Sequence, residues 1–144
     1  MKRRLQFSLA VLMFLALASC STAPPKVVQA VAPIYPKIAR IAHIEGVIVI
    51  SVEIGPDGKV SNARMISGAA LLREECLATA RKWLFAPSSN QTRTVELKFE
   101  FTVDDALPTD AQQQVSFSPP YYVAIKGAPV YLESSTGTVR NPKT

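Results

Sequence analysis

Two thiols, one imidazole and a scatter of carboxylates are what this chain offers for covalent or acid–base chemistry. His43 stands alone near the end of a short helical pattern. No second His and no Cys lies at ligand spacing from it, so no zinc site is written there. Glu74 and Glu75 are neighbours on a helical stretch and face different directions, unlike a pair of carboxylates working on one substrate. Asp57 sits between Pro56 and Gly58, where a turn former is needed. No Ser or Cys has a recognisable base partner, and no Gly-rich phosphate loop follows a strand. The reading is of a non-enzyme with no metal and no cofactor. What remains is the thiol of Cys20, placed just after an apolar run, and the main-chain N–H and C=O groups of a strand edge.

That strand is Thr94–Val103. Val95, Leu97, Phe99, Phe101 and Val103 point one way, and Thr94, Glu96, Lys98, Glu100 and Thr102 the other. A period of two marks a strand with one buried and one wet face. Charges alternating on the wet face suit an edge strand, where they discourage random pairing. Such an edge still presents backbone donors and acceptors to a chosen extended peptide.

The elements around it must fit in 144 residues, enough for one small domain. The formal charge is +5; without Lys2, Arg3 and Arg4 the 16 basic residues become 13 against 11 acidic ones, a net of +2. No basic cluster or aromatic–basic interleaving is left, which excludes nucleic acid as the expected partner. Lys2-Arg3-Arg4, the apolar run Phe7–Ser19 and the small residues before Cys20 make a secretory signal, too short for a bilayer span of about 20 residues. Leu17-Ala18-Ser19-Cys20 resembles a bacterial lipobox, which implies lipid on Cys20 and a membrane anchor. An ordinary cleaved signal or an uncleaved anchor are the alternatives. Ser21 after the cysteine resembles lipoproteins sorted to the outer membrane. Residues 1–19 are then signal and 20–32 a tether. Cys76, with no partner left, reads as a small buried hydrophobe on a helix.

Residues 33–103 read as the folded core. Tyr35 and Pro36 open it, and Ile38, Ile41 and Ala42 form one face of a short helix ended by Gly46. Val47–Ile54 is a strand burying Ile48, Ile50, Val52 and Ile54. Gly55-Pro56-Asp57-Gly58 is a hairpin turn, and Lys59–Ser67 returns with Val60 and Ile66 inward, or with a bulge shifting that register. A second helix, about Leu71 to Trp83, buries Leu72, Cys76, Ala80 and Trp83, and Pro87 stops it. The expected fold is α+β: a three-stranded antiparallel sheet with two helices on one face, in the order α-β-β-α-β.

Tyr35-Pro36, Ala39, Glu45-Gly46-Val47, Pro56-Asp57-Gly58-Lys59-Val60 and Ala80-Arg81-Lys82-Trp83-Leu84-Phe85-Ala86-Pro87, in that order and at those separations, resemble the TonB C-terminal domain family. The resemblance covers roughly residues 33–103. It implies structural roles for Tyr35, Pro36, Gly46, Pro56, Asp57, Gly58, Trp83, Phe85 and Pro87. It also implies that an extended segment of an outer-membrane receptor, the TonB box, adds at the edge of the third strand. Mapped by position, that edge is Arg93, Thr94, Val95, Glu96, Leu97, Lys98, Phe99, Glu100 and Phe101. Family members carry a membrane-spanning helix and a long Pro-rich linker; the signal and tether here depart from that pattern.

Residues 104–144 lie outside the resemblance and read as an extension, disordered from Ser134. Val115–Phe117 and Tyr121–Ile125 are strand-like, Pro119-Pro120-Tyr121-Tyr122 is a turn into a strand or a ligand for another domain, and Val130–Leu132 is placed to pair back after a turn at Lys126-Gly127. Docked on the domain, these strands would cover the third strand's edge. The first functional reading is a lipid-anchored periplasmic module, on the outer membrane by preference, that binds extended peptide segments of envelope proteins, with a role in TonB-dependent energy transduction and transport across the outer membrane as what the resemblance implies. The second is an envelope scaffold or assembly protein, and a third is an energy transducer with an uncleaved anchor. A homo-oligomer is left open.

Overall fold

The computed structural model describes residues 23–88 and 91–132. The residues read as a signal, Cys20 with its expected lipid, and the end of the chain from residue 133 lie outside them. The fold is α+β, with a mixed five-stranded sheet and short helices. In chain order the elements are β1 (Val27–Gln29), α1 (Lys37–Ile41), β2 (Gly46–Ile54), β3 (Val60–Ser67), a 3-10 turn (Ala70–Leu72), α2 (Arg73–Ala80), β4 (Leu84–Phe85), β5 (Arg93–Val103), β6 (Gln114–Ser118) and β7 (Tyr122–Gly127).

The large sheet has the order β3-β2-β5-β7-β6, and β1 pairs separately with β4. β2 and β3 form the expected hairpin. Gly58 takes a φ of +83° in its turn. A side chain there would strike the Phe85 carbonyl oxygen at 2.0 Å, so the turn is locked against β4 and only glycine fits. Bulges at both ends of the β2–β3 ladder shift the register. Ala63 and partly Met65 therefore face the core; Val60 is half-buried and Ile66 exposed, where simple alternation puts both inside.

The three-stranded sheet is corrected to five strands, because the extension joins it. β7 lies parallel to β5, from Lys98↔Tyr122 to Val103↔Gly127. β6 pairs antiparallel with β7 on its far side. The hairpin partner of β7 is thus the strand before it, through a turn at Pro119-Pro120, and Val130–Leu132 forms no strand. Val123, Ile125 and Ala128 are fully buried. Side chains join the ladder: the Gln113 amide donates to the Pro33 carbonyl (2.9 Å) and its oxygen accepts from the Tyr35 N–H (2.7 Å). Arg40 donates to the Ala128 carbonyl at 3.1 Å.

One face of the sheet carries the core. Ile48, Ile50, Val52 and Ile54 of β2 and Leu97, Phe99 and Phe101 of β5 meet Tyr35, Ala39, Leu72, Cys76, Ala80, Trp83 and Phe85. The stripe Leu72, Cys76, Ala80 and Trp83 is buried as read, although α2 itself stops at Ala80. Past it the chain turns to run as β4, and the Trp83 indole N–H donates to the Val31 carbonyl at 2.8 Å. Residues read as tether are therefore structured from Val27 onward, with Val31 and Ala32 packed on the core. In α1 the inward residue is Ala39; Ile38 and Ala42 are exposed. A single turn of helix is set by its flanks, here the buried Tyr35 and half-buried Ile44, rather than by its own stripe. It ends at Ile41, and the chain turns away at His43, which takes a φ of +48°, before Gly46 is reached.

Candidate functional site

The alternating strand forms as read: Leu97, Phe99 and Phe101 are fully buried and Val95 and Val103 half-buried. Phe101 meets the Tyr35 ring edge-to-face at 5.0 Å and Phe99 meets Trp83 at 6.3 Å. The Tyr35 hydroxyl donates to the Ile44 carbonyl at 2.8 Å. Burial, then the charge of Glu45, pushes that hydroxyl up to about 12 against a small opposing effect of Arg40. Tyr35 thus stays neutral and holds α1 on β5.

β5 is central, where the charge pattern suggested an edge. Its β2 side is paired from Arg93 to Phe101 without a break. Its other side divides in two. Lys98–Val103 is taken by β7: the Lys98 N–H donates to the Tyr121 carbonyl and the Asp104 N–H to the Gly127 carbonyl, both at 2.9 Å. The Tyr122 hydroxyl donates to the Glu100 carboxylate, which raises its pKa, and Lys126 lies 3.7 Å from Asp104. Of the nine residues Arg93–Phe101, the structure leaves the first five beyond the reach of β7.

Along a strand, alternate residues direct both main-chain polar groups to the same side. The Lys98 N–H faces β7, so those of Thr94 and Glu96 face that side too, beyond the end of β7. No strand among the described residues pairs with them there. Two grooves flank this open stretch. One, of about 610 Å³, is lined by Ser51, Thr94–Glu96, Lys98 and Pro120–Tyr122. The other, of about 400 Å³, lies between Ala23–Pro25 and Arg93–Val95. The Tyr121 hydroxyl donates to the Pro25 carbonyl at 2.7 Å, joining the two walls. Arg93 closes the start of the strand by donating to the Ala86 carbonyl at 2.7 Å. Main-chain groups in this setting can recognise an extended backbone; they supply no nucleophile, acid or base.

The family-motif residues serve the frame. Asp57 accepts from the Lys59 N–H at 3.1 Å in the hairpin turn, beside Pro56 and Gly58. Pro36 precedes α1, Gly46 opens β2 at a φ of +124°, and Trp83, Phe85 and Pro87 carry the chain from α2 past β4. Among the described residues no three His, Cys, Asp or Glu side chains gather as metal ligands. No described helix is long and apolar enough to cross a membrane. Sequence reasoning missed the N-terminal wall at Pro24-Pro25, because a Pro pair followed by Lys reads as linker. The signal that could have found it is Val27-Val28, a β-branched pair just before the core.

A family model described as the Gram-negative bacterial TonB protein C-terminal matches residues 31–104. Protein TonB of Klebsiella pneumoniae is 29% identical over 84 residues, which are 54% of this chain and 35% of that protein. The chain thus spans about a third of that relative's length. The solution NMR structure of the Pseudomonas aeruginosa TonB CTD aligns with 55% of this chain and 88% of its own, at a TM-score of 0.41 and 21% identity.

Proposed function

Because the chain belongs to the TonB C-terminal family, a non-enzymatic one, we propose that it is a periplasmic module of the cell envelope that captures extended segments of outer-membrane receptors by strand addition. The observation that carries this reading is the open main chain of Thr94 and Glu96 at the start of β5, flanked by two grooves. Backbone pairing supplies the affinity there, and Arg93, Glu96 and Lys98 supply selection through charge. A peptide reaching further along β5 meets β7. Val123 and Ile125 are fully buried, and each contributes about 1.5–3 kcal/mol. A peptide must offset that to displace the hairpin, so the open stretch is where it first engages. On this reading the chain is tied to a membrane by lipid on Cys20 and serves TonB-dependent energy transduction and transport across the outer membrane from that position. Intact mass of the envelope-purified protein tests the anchor: a mass starting at Met1 excludes it.

The pairing is tested by titrating the chain with a TonB-box peptide and following backbone amides. Shifts confined to Thr94–Lys98 and the two grooves are expected. Glu96→Pro is the decisive variant. Its N–H faces the open side, so proline removes no bond of the β2–β5 ladder. Leu97 is unsuitable, because its N–H faces β2. Glu96→Pro should weaken binding at least about tenfold, the worth of one or two backbone hydrogen bonds, with unfolding little changed. Unaltered binding by this variant excludes strand addition at β5.

The scaffold reading has its own observation: β7 covers the Lys98–Val103 edge within the chain itself. No binding by wild-type protein, together with protected amides along both sides of Lys98–Val103, decides for it.

A further inference from the structure

The sheet has two outer edges, and they are not alike. β3 carries Arg64 and two register shifts, devices that discourage pairing with a stray strand. β6 has neither. Its register on β7 is continuous, and no charged residue occurs from Ala111 to Ile125. All five of its residues are exposed, and among the described residues no strand lies on its far side.

The direction of its main-chain groups follows from β7. The carbonyls of Tyr121 and Gly127 accept from β5, so Tyr122, Ala124 and Lys126 direct theirs at β6. Their register partners Ser118, Ser116 and Gln114 face them. Val115 and Phe117 therefore turn N–H and C=O outward. Their side chains share the face of their partners Ile125 and Val123, which are fully buried, yet Val115 is 37% and Phe117 50% exposed. The apolar face of the sheet runs on past the helices and stops at an open edge.

We propose that β6 pairs antiparallel with β6 of a second copy of this chain, about a two-fold axis at Ser116. The occupant is a second copy because the edge is complementary to itself. With Ser116 opposite Ser116, Val115 of each copy faces Phe117 of the other. Each such pair exchanges two hydrogen bonds, so the four outward groups of each copy are all satisfied. Val115 and Phe117 of both copies make one apolar strip, and no charge opposes the approach. The result is a ten-stranded sheet in which both Thr94–Glu96 stretches stay open. A five-residue pair buries less than the about 1,200–2,000 Å² of stable interfaces, so the association is weak and follows concentration.

Cysteine scanning tests the register, in the full chain carrying Cys20→Ser. Cys76 is a silent thiol there, being fully buried. Facing Ser116 residues form a non-hydrogen-bonded pair with Cα atoms about 4.5 Å apart, inside the disulfide range of about 4.4–6.8 Å. Gln114 is opposite Ser118, so two Gln114 residues lie roughly 14 Å apart. Ser116→Cys should give a disulfide dimer under mild oxidation, at least tenfold faster than Gln114→Cys or Ser118→Cys alone. The double variant Gln114→Cys with Ser118→Cys should regain the fast rate. Sedimentation of the unoxidised Cys20→Ser chain should show mass rising with concentration, and Phe117→Lys should abolish the rise. Equal rates at the three positions, or a monomer at every concentration, overturn the proposal. The second result means that a different partner or a segment beyond Leu132 covers the edge, and it leaves peptide capture at β5 untouched.

Discussion

Cys76 is the one thiol among the described residues, and its surroundings keep it neutral. Burial, then the charge of Glu75, pushes it from 9.0 up to about 12. A folded-state value above the unfolded one means that the native chain holds a proton that the unfolded chain gives up. The stability this contributes is whole below about pH 9 and is lost as the pH rises toward about 12. Tyr35 acts in the same direction, between 10.0 and about 12. The melting temperature should therefore fall from about pH 9 upward. Cys76→Ala, whose small side chain suits the same site, should fall less steeply at the start of that range. Melting curves of the two proteins at stepped pH check this; identical slopes assign the whole loss to other groups. The same neutrality makes the thiol a poor nucleophile, in keeping with a packing role.

At the scale of elements, the decisive event is the docking of the β6–β7 hairpin. Its closest fit is at Gly127. A side chain there would lie 2.6 Å from the Arg40 Cδ and 2.7 Å from the Tyr35 ring. Arg40 is tied to the Ala128 carbonyl, and Tyr35 is buried and hydrogen-bonded, so the strand must shift. Gly127→Val should cost about 1–3 kcal/mol, as overpacking does. Hydrogen exchange should show the loss concentrated in β7 and β6, with the β2–β3 hairpin spared. A uniform loss through the sheet would mean that the hairpin is no separate unit. The sequence made β2, β5 and the buried stripe of α2 readable because each carries its own period, and Pro56-Asp57-Gly58 names its own turn. The partner of β7 was not readable. Tyr122–Gly127 carries β-branched and aromatic residues that suit any sheet, and its parallel pairing with β5 depends on contacts across the chain, such as Gln113 with Pro33 and Tyr35. The site was half readable for the same reason: the alternation of β5 is local, but which part of its edge stays open is decided by where β7 ends.

For the molecule as a whole, the match to the family ends at residue 104, but the core does not. If the family region were self-sufficient, the chain could end at Asp110 with little loss. The packing says otherwise. Such a cut removes Val123, Ile125 and Ala128, all fully buried, and uncovers the flanks of Phe99 and Phe101. It also frees the Tyr35 N–H, the Pro33 carbonyl and the Arg40 guanidinium from their partners. Two large apolar side chains at about 1.5–3 kcal/mol each amount to a sizeable part of the 5–15 kcal/mol or so that holds a small domain together. A chain ending at Asp110 should therefore lose at least about 3 kcal/mol in denaturant unfolding. It should also gain a longer receiving edge, because all of Thr94–Val103 then lies open. The two effects pull apart in one experiment. Binding of a TonB-box peptide to the truncated chain, with the peptide raising its unfolding midpoint well beyond the rise seen with the full chain, shows the hairpin standing in the peptide's place. An unfolded product that no peptide restores shows that β6 and β7 are part of the frame.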